Sequence, residues 1–475
     1  MHKNYIRTVF FFLVTVVAVV WRFHSLSIAP TIKPYNLLAD VSIKETPKLL
    51  DSVAVAPTIA VVPPPPPRDS FPYPKGVLRL ENFTGNEYPL DSLIEKLFTN
   101  EQVRAAWFGD SFTEADILVG DLRDTLQSLY GGNGVGFVPM ATDAAGYRRT
   151  VAHNHSGWNT QSFINKKAGD INFGICGRIY EPSAAAYSTY KSSNSHRHTR
   201  KFDKIRVFYT AQTNRNFLMR VGSEEWQSLP LTATKLPQQV VVNNGNTQTV
   251  SLRMNDTIGG ISFYGASLED TTGFYIDNFS IKSNSGLGML HLREDFLHSF
   301  HEMLHYDLIV LQFGLNVAGK TPMNYSNYTK QMEKVIEKLK QSFPDVPILI
   351  ISVSDRSHQV QGEYKTMEGI PYFVEVQRKM AADNHLLFWN LYEAMGGENS
   401  MANFVEKNLA NKDYTHLNHA GGRVLGLKLA NTFIHEVDVY KKRKSQQYPH
   451  QEINPQTPHF ADIVPHTSIK TELHK

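Results

Sequence analysis

Trp107-Phe108-Gly109-Asp110-Ser111-Phe112 is the stretch that decides how this chain is read. The run leading into it, Arg104 to Phe108, is short and apolar after its first residue, the pattern of a buried strand. Gly-Asp-Ser stands at its end, and Thr113-Glu114-Ala115-Asp116-Ile117-Leu118 then opens a helical pattern. A serine on such a strand-to-helix turn is lifted above the sheet, where the helix N-terminus favours negative charge. Far downstream, Asp413-Tyr414-Thr415-His416 sets an acid and an imidazole three residues apart. Those three side-chain types can serve as nucleophile, base and orienting group.

Composition narrows the choices. The 475 residues suffice for two domains plus linkers, and 41% hydrophobic content allows sizeable cores. A net charge of +3 gives no argument for nucleic acid as a partner. The single cysteine, Cys176, rules out an intramolecular disulfide and a zinc site built on several cysteines.

Residues 1–24 are expected to form a signal peptide or membrane anchor. Lys3 and Arg7 precede an apolar run from Val9 to Trp21, interrupted only by Thr15. The run is short for a span of about 20 residues. No small-x-small cleavage site follows, which favours an uncleaved anchor. The positive flank would stay inside and place the rest of the chain outside the cytoplasm, in the periplasm or at the cell surface. Residues 25–78 read as a Pro-rich linker, with Pro63 to Pro67 an extended spacer.

The remaining chain divides into an α/β domain with an insert. Residues 79–146 are its first part. The glycines from Gly131 to Gly136 follow the helix rather than precede it, so they read as a C-cap and turn, not a phosphate cradle. Residues 147–282 lose helical periodicity. Short strand-like runs recur there, among them Lys204 to Tyr209, Thr247 to Met254, Ile261 to Ala266 and Gly273 to Ile281, the spacing of an antiparallel β-sandwich. Residues 283–440 resume the α/β pattern, with the continuous apolar strand Pro347 to Ser352 expected of a parallel sheet covered on both faces. Residues 441–475, which include Lys441-Lys442-Arg443-Lys444, are expected to be a disordered tail.

Two further segments bear on the serine. Gly314-Leu315-Asn316 follows a strand ending at Phe313, and an asparagine there can donate to an oxyanion. Asn284-Ser285-Gly286 lies where the insert returns, and a glycine lets a backbone N–H approach the same oxygen. Ser111, Gly286, Asn316 and His416 with Asp413 resemble, in order, the four blocks of the SGNH (GDSL-type) hydrolases. The resemblance covers roughly 95–146 and 285–436. It implies a flavodoxin-like three-layer parallel sheet and a serine hydrolase with Ser111 as nucleophile, His416 as base and Asp413 as orienting acid. It also implies an oxyanion hole of Ser111, Gly286 and Asn316, with no cofactor and no metal.

The interrupting β-domain is similar to that of the peptidoglycan O-acetylesterases, whose insert resembles a carbohydrate-binding module. The expected function is removal of O-acetyl groups from an extracytoplasmic polysaccharide, peptidoglycan first among them. Phe112 and Val317 depart from the family, which often has Leu after the serine and an acid after the asparagine. An O-acetyltransferase on the same scaffold and a non-catalytic glycan-binding protein are the alternatives.

His301-Glu302-Met303-Leu304-His305 matches the H-E-x-x-H zinc-protease motif, a competing reading. A helix stopping near Tyr306 and the want of a convincing third ligand count against it. In the insert, Trp158, Tyr187, Tyr190 and Trp226 are candidates for stacking on sugar rings, against the commoner role of core packing.

Overall fold

The computed structural model describes residues 70–165, 171–254 and 259–447. The expected signal or anchor segment, linker residues 25–69 and tail residues 448–475 lie outside the described residues. Among the described residues no helix is long and apolar enough to cross a membrane.

The chain opens with β1 (Glu81–Asn82), α1 (Asp91–Phe98), β2 (Gln102–Gly109), α2 (Val119–Tyr130) and β3 (Gly136–Val138). The insert supplies β4 (Val151–Ser162), β5 (Arg178–Ser192), β6 (Phe202–Ala211), β7 (Arg215–Val221), β8 (Gln227–Leu231), β9 (Thr234–Thr247), β10 (Thr249–Arg253) and β11 (Ile261–Glu269). Then come β12 (Gly273–Asn278), α3 (Glu294–Leu304), β13 (Leu308–Gln312), α4 (Ser326–Ser342) and β14 (Ile348–Ile351). The chain closes with β15 (Ser357–Val360), β16 (Glu363–Thr366), α5 (Gly369–Asp383), β17 (Leu387–Trp389), α6 (Leu391–Met395), α7 (Ser400–Glu406) and α8 (His419–Gln447).

Strands β12, β2, β13, β14 and β17 lie side by side in parallel, and β1 closes the far edge antiparallel to β17. Counted along the chain, the parallel strands stand in the order 2-1-3-4-5, the flavodoxin-like arrangement. Every residue of β13, β14 and β17 is buried. Helices cover both faces of such a sheet, so its strands read as unbroken apolar runs. Helices α1, α2 and α8 pack together, as do α3, α4 and α5. The strand order reverses between β2 and β13, and the crevice outside their carboxyl ends is where this fold binds ligands.

The insert is an antiparallel β-domain, as expected. Its strands form one continuous antiparallel network in the order β8-β7-β10-β5-β11-β6-β9, with β4 added on β5 and β3 on β11. The 15-residue β5 is long enough to pair with β4, β10 and β11. The expected boundary at 282 moves. β12, read above as an insert strand, pairs in parallel with β2, and its burial is continuous rather than alternating. β3, assigned to the α/β part, pairs antiparallel with β11. By sheet membership the insert runs from Gly136 to Glu269.

A buried ionic cluster ties the two sheets together. Arg104 in β2 is fully buried, with Nη1 2.9 Å from the Asp277 carboxylate of β12 and Nη2 2.6 Å from Glu269 of β11. Arg206 Nε reaches Glu269 at 2.7 Å, and the Tyr306 hydroxyl donates to Asp277 at 2.9 Å. Burial alone would raise the Glu269 pKa; the Arg104 and Arg206 charges bring it down to about 2.

Both ends of the α/β domain are more ordered than expected. Residues 70–78 are not free linker: Tyr73 donates to Glu436 and Thr432 donates to the Leu78 carbonyl at 2.6 Å. Helix α8 continues to Gln447, past the expected tail boundary. Cations favour a helix C-terminus. Arg443 lies 3.4 Å from the Tyr88 ring centroid and pairs with Asp91, and Lys441 lies over Phe98.

Candidate active site

Gly109 ends β2 at a place where no side chain fits. A Cβ there would stand 2.4 Å from Thr113 Oγ1 and 2.6 Å from Ser280 Oγ. The chain then turns tightly: Phe112 N–H donates to Asp110 Oδ1 at 3.0 Å, and Glu114 N–H to the Asp110 carbonyl at 3.2 Å. Ser111 sits on this turn, 3% exposed.

The helix expected from Thr113 begins only at Val119. Ala115, Asp116 and Leu118 have φ of 60°, 61° and 71°, a conformation that breaks helix and costs about 1 kcal/mol or more per L-residue. Tertiary charge overrides the local helical pattern. Asp116 accepts from Arg123 at 2.7 Å, Arg148 at 3.1 Å, Thr150 at 2.5 Å and Asn278 at 3.0 Å. Burial works against its charge, but the two guanidinium groups hold its pKa far below the usual carboxylate range.

The partners of Ser111 come from the loop before α8. Tyr414 takes φ 55°, and this left-handed corner folds Asp413 back onto His416. Asp413 Oδ1 accepts the N–H groups of Thr415 at 2.9 Å and His416 at 3.0 Å. Asp413 Oδ2 lies 2.8 Å from His416 Nδ1, and His416 Nε2 lies 2.9 Å from Ser111 Oγ. A carboxylate only accepts, so its position assigns the proton to Nδ1 and leaves Nε2 as acceptor. Burial would raise the Asp413 pKa, yet the hydrogen bonds from the His416 ring and from the His416 and Thr415 N–H groups hold it below the ordinary value. Ser111, His416 and Asp413, 305 residues apart between the first two, thus meet in one hydrogen-bonded chain.

Gly286 and Asn316 also meet, through Asn284. Gly286 has φ 91°, and a Cβ there would stand 2.9 Å from both Met332 Sδ and Phe313 Cδ2, so only glycine fits. Its N–H donates to Asn284 Oδ1 at 2.9 Å and does not stand open toward a ligand. The Asn316 amide donates one hydrogen to the Asn284 carbonyl at 3.2 Å, which leaves its second. The β2–β13 register sets Gln312 opposite Gly109, so Asn316 and Ser111 leave neighbouring strands at the same end. Tyr328 links the two sides: its hydroxyl donates to the Ser285 carbonyl at 3.0 Å, and the Asp110 charge adds to burial in raising its pKa.

One element of the site was not legible in the sequence. The β15–β16 hairpin holds the loop carrying His416: Ser357 N–H donates to the Tyr414 carbonyl at 3.0 Å, and Tyr364 stacks on Tyr414 with ring centroids 3.4 Å apart and planes within 4°. Arg356, at its base, donates to the Leu315 carbonyl at 3.2 Å. The polar run Ser357 to Thr366 carries no apolar alternation that would have announced a strand pair.

The H-E-x-x-H residues are not all helical, because α3 ends at Leu304. His305 is the left-handed cap beyond α3, with φ 50°. His301 Nδ1 accepts the Tyr306 N–H at 3.2 Å, and its ring packs edge-on against Phe343. In the insert, Tyr190 is fully buried, and Trp158 packs edge-on against Phe263 with its indole N–H on the Tyr187 carbonyl.

No family model and no curated protein matches the sequence. Solved structures do match the fold. A peptidoglycan O-acetylesterase structure superposes with TM-score 0.62 at 20% identity, over 76% of this chain and 99% of that one. Looser matches include a family two carbohydrate esterase from Cellvibrio japonicus (TM-score 0.25, 7% identity, 61% of this chain and 99% of that one). A GDSL-like lipase from Parabacteroides merdae is another (TM-score 0.27, 12% identity, 34% of this chain and 73% of that one). In fold, and in the order of its four sequence blocks, the chain resembles the SGNH (GDSL-type) hydrolases.

Proposed function

We propose that this chain is a serine esterase that removes O-acetyl groups from an extracytoplasmic polysaccharide, with peptidoglycan the foremost candidate. The observation that carries the reading is the unbroken relay from Asp413 through His416 to Ser111 Oγ. The fold match to a peptidoglycan O-acetylesterase supports the choice of substrate, and the apolar run near the N-terminus supports the extracytoplasmic setting.

In the proposed reaction His416 Nε2 takes the Ser111 proton as Oγ attacks the acetyl carbonyl. Asp413 keeps the other imidazole proton in place and stabilises the imidazolium that forms. The tetrahedral oxyanion is held by the Ser111 N–H and the second Asn316 hydrogen, each such donor worth roughly 3 to 4 kcal/mol. Because the Gly286 N–H is donated to Asn284, Gly286 acts here by carrying the Asn284 turn that orients Asn316, rather than as a donor. His416 then returns its proton to the sugar oxygen as the C–O bond breaks. Water, activated in turn by His416, releases acetate from Ser111.

Hydrolysis of p-nitrophenyl acetate and of O-acetylated peptidoglycan by wild type and Ser111→Ala tests this. Loss of turnover by about 10⁴-fold or more, with unchanged circular dichroism, is the expected result. Wild-type rates in the variant would refute the assignment.

A further inference from the structure

The exposed face of the insert carries a second constellation, built by strand register. Across β5, β10 and β7, Thr189, Ser251 and Arg220 form one row of directly paired residues, and Tyr187 and Arg253 stand together in the next. Paired residues in adjacent strands share a face. The alternating residues Ser188, Tyr190, Val250, Leu252, Met219 and Val221 are buried on the other side. The polar row lines a groove beside Trp226, which enters from the β7–β8 turn.

Two features of this groove are unlike ordinary surface decoration. The guanidinium carbons of Arg220 and Arg253 lie 4.8 and 4.2 Å from the centroid of the same Trp226 ring. Two like charges are thus gathered within about one Debye length, roughly 10 Å at 0.1 M salt. Among the described residues neither is joined by a carboxylate, and Arg220 Nε is shut off from solvent with no acceptor. The exposed Arg253 offers its guanidinium directly to a ligand acceptor. The guanidinium groups also occupy the indole, so recognition by stacking a neutral sugar on Trp226 is not what the groove offers. The half-buried Thr189 hydroxyl, braced 2.9 Å from that of the buried Ser251, supplies a donor or acceptor suited to a sugar hydroxyl.

We propose that this groove binds a saccharide bearing a carboxylate. The indole-braced Arg220 and Arg253 take the carboxylate, and the hydroxyl row takes the sugar ring. The site belongs to the insert alone and requires nothing of Ser111.

Isothermal titration of the full chain with oligogalacturonate, its methyl ester and polyglutamate tests the assignment. A hexuronate that binds at least tenfold more tightly than its methyl ester and than polyglutamate is the expected result. Arg253→Ala and Arg220→Ala should each weaken that binding at least tenfold while p-nitrophenyl acetate turnover, the check on folding, stays at the wild-type level. No binding of the hexuronate, equal binding of its methyl ester, equal binding of polyglutamate, or full binding by both folded variants would each overturn the proposal.

Discussion

Replacing Asp413 by asparagine keeps the shape of the site and changes its chemistry. Asp413 Oδ1 accepts two backbone N–H groups at 2.9 and 3.0 Å, and an amide oxygen can keep both. The other position, 2.8 Å from His416 Nδ1, then becomes an NH2 group facing an N–H. The imidazole relieves that clash by moving its proton to Nε2, where it points at Ser111 and can no longer accept. The base is lost although every atom stays close to its place. The expected fall in kcat is about 10⁴-fold, or about 5.5 kcal/mol of barrier. Stability should change by only about 1–3 kcal/mol, the worth of one charge-assisted hydrogen bond. The assay is steady-state p-nitrophenyl acetate hydrolysis beside a thermal melt. A folded Asp413→Asn enzyme with kcat within tenfold of wild type would refute the relay and leave Asp413 as a loop brace.

Other perturbations separate the parts of the structure. Arg104→Met leaves Asp277 buried without its cation, although Glu269 keeps Arg206; unfolding by urea should show a loss of about 3–5 kcal/mol, and a change below 1 would mean the cluster contributes little. Gly286→Ala forces a Cβ to 2.9 Å from Met332 Sδ and Phe313 Cδ2 at φ 91°, so it should lower both the melting temperature and kcat, whereas a Ser285→Ala control should not. The folded-state pKa of Asp413 lies below its unfolded value. Its stabilising contribution is therefore present above about pH 4 and is lost as pH falls through the lower folded pKa, so Asp413→Asn should flatten the acid side of the melting-temperature profile. An identical acid slope in the variant would contradict that linkage.

What the sequence disclosed follows from the scale of the forces involved. The strands of the parallel sheet are buried on both faces and announce themselves as apolar runs, so β2, β13, β14 and β17 were legible. The relay was legible because its residues stand at strand ends and on one short loop. β12 was misread because Gly273 to Asn278 follows insert strands of similar length with no helix between, and only its pairing with β2 distinguishes it. The start of α2 was misread because Glu114-Ala115-Asp116 has helical composition while Arg123, Arg148, Thr150 and Asn278 pull Asp116 out of register. Gly286 was expected to donate its N–H to an oxyanion, but the direction of that N–H depends on the Asn284 turn, a hydrogen bond between neighbours that periodicity does not encode. The end of α8 was misread because its basic run resembles a solvated tail until Tyr88, Asp91 and Phe98 are seen beneath it.

The most direct test of the central claim is to trap the nucleophile. Treatment with a fluorophosphonate, followed by proteolysis and mass mapping, should place one adduct per chain on Ser111, with esterase activity lost in step with labelling and no adduct in Ser111→Ala. Labelling at another residue with activity lost in step, or full activity with Ser111 modified, would contradict the account.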